Sequence, residues 1–171
     1  SLYGAKKRAN IEYHKLADYV GVDRSYAEIE EDKIKPLLDI VDRADGLVLG
    51  SPVYFGDRSS LMHSFINFCS RRNLLEGKVI STVSAGSKRN GGQETTNVYA
   101  LFENLTHGAY IVGNGPKTCQ YGGTGWGGDI GDVVEDEFGL ETSMGTGIRV
   151  SQVASILKAA RETTVPEPGA G

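Results

Sequence analysis

The stretch Gly46-Leu47-Val48-Leu49-Gly50-Ser51-Pro52-Val53-Tyr54-Phe55-Gly56-Asp57 passes from a short apolar run straight into a turn-forming segment. Its first five residues show no alternation of apolar with polar, which predicts a strand buried on both faces in a parallel sheet. Pro52 then stiffens the exit, and Gly56 lets backbone approach something flat or bulky. Beyond the turn, Leu61, Met62, Phe65, Ile66 and Cys69 form a wide helical stripe behind Ser59 and Ser60, either of which could accept an orphan backbone N–H as a helix cap. The segment therefore reads as strand, loop, helix, with Cys69 in the core.

Working outward, Val79-Ile80-Ser81-Thr82-Val83 before Ser84-Ala85-Gly86 repeats the same pattern. Two more strands are expected over residues 11–16, which alternate in character, and 109–112, which end at Gly113-Asn114-Gly115. Helical periods lie between them: Ile34, Leu37, Leu38 and Val41; Val98, Leu101, Phe102 and Leu105; and Val150, Val153, Ala154 and Leu157. Pro36 lacks the donor that a helix begun at Asp32 needs, so the first of these helices is expected to start nearer Lys35. Strands alternating with helices imply right-handed crossovers and a parallel sheet covered on both faces, a three-layer α/β/α sandwich. In such sheets ligands sit at the carboxyl ends of the strands.

At 171 residues the chain suits one domain over 1–171, with residues 163–171 expected as a disordered tail. Eighteen Lys and Arg against 22 Asp and Glu leave a net charge of −4. That balance is wrong for gripping nucleic acid phosphates or a polybasic membrane surface, and it favours small soluble partners. No apolar run approaches a membrane span and no signal-peptide pattern opens the chain, so it reads as cytoplasmic. Cys69 and Cys119 form no C-x-x-C pair, and His14, His63 and His107 show no metal-ligand spacing, so no metal site is expected. The 23 glycines are roughly twice average usage and fall in loops between periodic segments.

Three loops carry the chemistry. In the first, Tyr54 and Phe55 offer aromatic faces beside backbone N–H groups, an edge suited to a planar heterocycle; the alternative is an ordinary strand-to-helix turn whose aromatics cap the core. The second, running from Ser84 through Lys88-Arg89-Asn90-Gly91-Gly92-Gln93-Glu94 into a helix, is long enough to be functional. Its small residues and the helix N-terminus behind them favour anions or electron-rich oxygens. Lys88 and Arg89 read either as solvated or as contacts to a nucleotide phosphate. The third, Tyr121-Gly122-Gly123-Thr124-Gly125-Trp126-Gly127-Gly128-Asp129, holds a formal G-x-G-x-x-G. It is read as an irregular loop, without the preceding strand and following helix that a dinucleotide fingerprint requires. Trp126 is expected to be exposed or packed on a partner.

Taken together, Ala44-Asp45-Gly46 leading into Gly50-Ser51-Pro52-Val53-Tyr54-Phe55-Gly56, then Gly91-Gly92-Gln93-Glu94-Thr95, then the late glycine-rich run resemble the flavodoxin-like NAD(P)H-dependent FMN reductases. Within that group the chain is most similar to WrbA-type quinone reductases and to the flavin domain of iron–sulfur flavoproteins. The resemblance implies a flavodoxin-like fold with FMN as cofactor and NAD(P)H as electron donor. A quinone, flavin or similar small molecule would be the acceptor, and the protein a homo-oligomer, dimer or tetramer. It puts Pro52, Val53, Tyr54, Phe55 and Gly56 against the ribityl chain and ring, and Ser84, Ala85, Gly86, Gly91, Gly92 and Gln93 at the flavin's polar edge. Because the cofactor performs the chemistry, no catalytic acid or base is assigned. An electron carrier, or a flavin-free interaction module on the same fold, are the alternatives.

Two departures from the family accompany this reading. Residues 18–32 lack the compact cysteine cluster of iron–sulfur flavoproteins, so no such cluster is expected. The chain opens where relatives end their first helix, so the sheet is expected to lack its first strand and the FMN phosphate loop. The natural protein is expected to carry about thirty to forty further residues before Ser1, the usual length of one strand, one loop and one helix.

Overall fold

The computed structural model describes residues 5–6, 9–20 and 31–164. In chain order the elements are α1 (Ala17–Val20), α2 (Glu31–Arg43), β1 (Gly46–Pro52), α3 (Ser60–Ser70), β2 (Val79–Gly86), α4 (Gln93–Leu105), β3 (Tyr110–Ile111), β4 (Gly123–Trp126), a 3-10 turn (Asp132–Glu135) and α5 (Glu137–Thr164). All strand pairing is parallel. β1 lies along one edge of β2, in register from Gly46↔Val79 to Pro52↔Ala85. Along its other edge β2 carries β3 at its start, Val79↔Tyr110, and β4 at its end, Val83↔Gly123 through Gly86↔Trp126. β3 and β4 are thus two halves of one strand line, interrupted by the excursion 112–122. Asn114 closes the neck of that excursion: its Nδ2 donates to the Gly122 carbonyl at 3.2 Å and its Oδ1 accepts the Gln120 N–H at 2.8 Å.

Side-chain alternation divides the sheet into two faces. Leu47, Leu49 and Ile80 point to the face covered by α2 and α3, where Ile34, Leu37, Leu38, Val41, Met62, Phe65, Ile66, Cys69 and Leu75 complete the main core. Each fully buried aliphatic there contributes roughly 1.5–3 kcal/mol. Burial also pushes the Cys69 thiol up to about 12, as its place in the core requires. The opposite face carries α5, whose Val150 and Ala154 press on Gly46. This is the expected α/β/α sandwich with a parallel sheet, and β1 pairs on one edge only among the described residues.

Four local expectations change. Residues 11–16 form no strand: they run irregularly over the surface, tied by Glu12 to Arg43 at 3.1 Å and by His14 Nδ1 to the Tyr19 hydroxyl at 2.8 Å. α2 is already helical at Glu31 and takes Pro36 inside it; the ring sits on the exposed side, and the carbonyl it leaves unbonded, that of exposed Asp32, is within reach of water. α5 reaches Thr164, two residues into the expected tail, while residues 165–171 lie outside the description. The largest change is that the third glycine-rich stretch is not wholly a loop, because Gly123–Trp126 is strand β4.

Glycine has poor strand propensity, so a tertiary requirement explains β4. A Cβ on Gly123 would lie 2.6 Å from both Ser143 Oγ and Val83 Cγ1, and one on Gly139 of α5 would lie 2.6 Å from the Thr124 carbonyl oxygen. Strand and helix approach so closely that side chains are excluded from both. The contact also protects the sheet edge. Thr142 Oγ1, fully buried, donates to the Gly139 carbonyl of its own helix at 2.8 Å and accepts the Thr124 N–H at 3.0 Å, and Asp136 accepts the Trp126 N–H at 2.7 Å.

Candidate functional site

Because β1, β2 and β4 are parallel and in level register, the expected first and second loops leave the sheet side by side, with Trp126 beside them. Val53 N–H still donates to the Ala85 carbonyl at 2.9 Å, which joins the two loop bases. The first loop then folds into a tight turn over 54–57, closed by Tyr54 N–H to Asp57 O at 2.8 Å and Asp57 N–H to Tyr54 O at 3.0 Å. Its central residues, Phe55 at φ +52° and Gly56 at φ +82°, are both left-handed. For Phe55 that conformation costs roughly 1–2 kcal/mol. Its ring is fully exposed and Tyr54 is also exposed, so neither aromatic caps the core. Neither the Phe55 nor the Gly56 N–H has a backbone acceptor among the described residues.

The second loop packs directly on that turn. A Cβ on Gly92 would lie 2.6 Å from Gly56 Cα, and Thr95 Oγ1 donates to the Gly56 carbonyl at 2.8 Å. Gly92, at φ +100°, caps α4 without a side-chain bond. The N–H groups of Gln93, Glu94 and Thr95 therefore have no acceptor within the helix or its cap. Gly91 is needed by its own loop, since a Cβ there would meet the Lys88 carbonyl at 2.8 Å.

Two of the expected contact residues spend their side chains inside the protein. Buried Ser84 donates to the Gln93 carbonyl at 2.8 Å. Buried Gln93 donates from Nε2 to Lys88 O at 2.7 Å and to Gly125 O at 3.2 Å, and accepts the Gly91 N–H on Oε1 at 2.9 Å. Gln93 thus staples the second loop to β4. Arg89 stacks over the Trp126 ring at 5.1 Å from its centroid, so it is neither simply solvated nor isolated. Trp126 itself is 41% exposed.

The same polar demand explains why α4 turns a different face inward from the one its apolar residues predict. It buries Gln93, Thr96, Asn97, Ala100, Leu101 and Asn104, leaving Phe102 62% and Leu105 57% exposed. Asn97 Nδ2 donates to the Gly123 carbonyl at 3.0 Å, so the inward face reads the backbone of β4, where apolar side chains could offer no donor.

Asp57 and Thr95 stand in the loops quoted from the sequence but were given no role there, and Arg58 was not singled out. The signal for Asp57 and Arg58 was a charged pair at the end of the turn. Arg58 reaches across to α4 and meets Glu103 at 2.5 Å. The site as built can receive a flat ring with electron-rich oxygens along its edge: free backbone donors come from two loops and a helix N-terminus, and aromatic side chains border them. An isoalloxazine, with its polar pyrimidine edge, fits that donor set.

The sequence profile of the NADPH-dependent FMN reductases matches residues 3–117. The chain belongs to that family. The family's cofactors are FMN and NAD(P)H, and its chemistry is oxidoreduction. Among curated relatives, an iron–sulfur flavoprotein of Methanocaldococcus jannaschii is 38% identical over 132 residues, covering 74% of this chain and 67% of that protein. An NAD(P)H dehydrogenase (quinone) of Archaeoglobus fulgidus is 34% identical over 116 residues, covering 66% of this chain and 61% of that protein. The chain thus spans about two thirds of the length of these relatives. Of solved structures, a WrbA-like flavodoxin from Agrobacterium tumefaciens superposes with TM-score 0.57 at 22% identity, covering 78% of each chain. A flavone reductase gives TM-score 0.64 at 20% identity over 93% of this chain and 57% of that one. Both likenesses concern the fold, and both agree with the flavodoxin-like parallel sheet.

Proposed function

We propose that this FMN reductase family member uses NAD(P)H to reduce a quinone, a free flavin or a similar small acceptor, with FMN held between the turn 54–57 and the loop 84–92. The observation that carries the reading is the direct packing of these two loops through Gly56, Gly92 and Thr95 at the level carboxyl ends of β1 and β2. When bound, FMN supplies the electron-transfer chemistry. The chain's part is to bind and orient it. Pro52, Val53, Tyr54, Phe55 and Gly56 would line one side through backbone and aromatic edges. Ala85, Gly86, Gly91, Gly92 and the first N–H groups of α4 would meet the polar edge, while Ser84 and Gln93 hold that loop in shape. An iron–sulfur cluster forms no part of the proposal, since the sequence has two cysteines and one of them is buried in the core.

Self-association belongs to the same proposal. Tyr54, Phe55, Trp126, Ile130 and Val134 are exposed on or close to the loops at this end of the sheet, and aromatic anchors commonly dominate interfaces. No helix of the described residues is long and apolar enough to cross a membrane. The test is a visible spectrum of the purified natural protein with and without added FMN, followed by NADPH oxidation with and without benzoquinone. Flavin binding with quinone-dependent turnover is expected. Bound flavin with negligible NAD(P)H turnover would favour an electron carrier, and no flavin binding would refute the assignment.

A further inference from the structure

We propose that Arg58 is a positioning residue for the flavin-contacting turn, acting through Asp57 on one side and Glu103 of α4 on the other. This rests on the assignment of turn 54–57 to the flavin and goes beyond it by naming what holds that turn in place. The turn contains two successive left-handed residues, one of them a phenylalanine, so its shape must be imposed by its surroundings.

Two supports are visible. One is Thr95, through the Gly56 carbonyl. The other begins at Asp57, whose Oδ1 accepts the Arg58 backbone N–H at 2.7 Å and Arg58 Nη1 at 2.9 Å. The guanidinium then spans to α4, where Nη2 donates to Glu103 Oε2 at 2.5 Å. His63 of α3 joins the same cluster, its Nδ1 2.7 Å from Arg58 Nη2 and 3.3 Å from Glu103 Oε1.

The Arg58 side chain is only 9% exposed, its partner Glu103 is also largely buried, and Arg58 Nε has no hydrogen-bond partner. An ion pair buried with a donor left over is a weak device for stability, because desolvation consumes much of the attraction. What the arrangement supplies is direction. The planar fork reaches two carboxylates at once and ties the end of the turn to the helix whose first residues face the same ligand. Lysine could satisfy either carboxylate but lacks the fork that joins both. Turn and helix N-terminus thereby move as one body, which a preorganised ligand site requires.

The test compares Arg58→Met, Arg58→Lys, Glu103→Gln and the Arg58→Met/Glu103→Gln double variant with wild type. FMN affinity is measured by flavin fluorescence quenching, well below each protein's Tm, and the visible band shape is recorded at saturation. Arg58→Met is expected to weaken FMN about tenfold, the order seen when a support behind a contact is lost rather than the contact itself. Arg58→Lys should recover little of this, and the band shape should change in both. The double variant should bind no more weakly than Arg58→Met alone, since the two residues act as one brace. A merely structural pair would lower Tm and leave FMN affinity and band shape at wild-type values in every folded variant, and that result overturns the proposal. Should Arg58→Met fail to fold, Glu103→Gln, which keeps the side-chain shape, decides by the same two readouts. A wild-type natural protein that binds no FMN removes the function assignment and this inference together; a wild-type natural protein that binds, with variants that bind equally, removes the inference alone.

Discussion

Replacing Gln93 by glutamate exchanges one atom and reverses the polarity of the staple that holds the second loop. The amide nitrogen donates to two carbonyl oxygens, at 2.7 Å and 3.2 Å, in a buried position. A neutral carboxyl can donate to one of them, so at low pH the variant loses one hydrogen bond, about 1 kcal/mol. An ionised carboxylate can donate to neither and faces both carbonyls with like polarity. Burial and those carbonyls raise the folded-state pKa of the new carboxyl above its unfolded value of about 4.3. A rise of about two units adds roughly 3 kcal/mol to the cost once the group is ionised.

The sign follows from proton linkage. Between the two pKa values the folded variant binds more protons than the unfolded one, so stability falls as pH rises through that window. Relative to wild type, the variant should therefore be destabilised by about 1 kcal/mol at pH 4 and about 4 kcal/mol at pH 7.5, most of the change coming between about pH 4.5 and 6.5. Urea unfolding of both proteins at matched pH values measures the difference. A gap that does not vary with pH, or one below about 1 kcal/mol at pH 7.5, would refute the role given to Gln93.

Gly123→Val should lower the unfolding free energy by about 1–3 kcal/mol, because its Cβ must displace Ser143 and Val83, each 2.6 Å away; an unchanged Tm would contradict the close approach of α5 to β4. With a thiol-reactive dye at pH 8 the native protein should show one fast thiol, exposed Cys119, and a second only on unfolding, since the Cys69 thiol is buried and pushed up to about 12. Sedimentation at micromolar concentration should show an oligomer that Trp126→Ala weakens. A monomer indifferent to that change counts against an interface at this edge.

Local pattern made the central strands and most of the apolar stripes legible, because an unbroken run of Leu and Val or a repeat of Ile34, Leu37, Leu38 and Val41 records burial within a few residues of sequence. Ser59 was likewise readable as a cap, and its hydroxyl accepts the Met62 N–H at 3.2 Å. The flavin-family loops were legible as types and order, and the structure brings the first two together. Their supports were not, since Arg58 and Glu103 are 45 residues apart and nothing local links them.

Two elements besides β4 were misread because the deciding contact lies outside the element. The alternation in residues 11–16 promised a strand, but alternation creates none without a partner edge, and no described strand lies alongside it. α4 displayed Val98, Leu101, Phe102 and Leu105 as its apolar side, yet it turned Thr96, Asn97 and Asn104 inward, where Asn97 binds the backbone of β4.

By itself, the sequence determined that this chain builds a parallel α/β sheet with glycine-bearing loops where its strands end, because apolar runs and helical periods are local consequences of burial. Only the tertiary structure decided that the glycine-rich stretch becomes a strand. Side chains there would occupy the space that α5 needs, and the outer edge of β4 is satisfied by Thr142 and Asp136 from beyond the strand itself. No property of a run of glycines announces that a helix will lie against it.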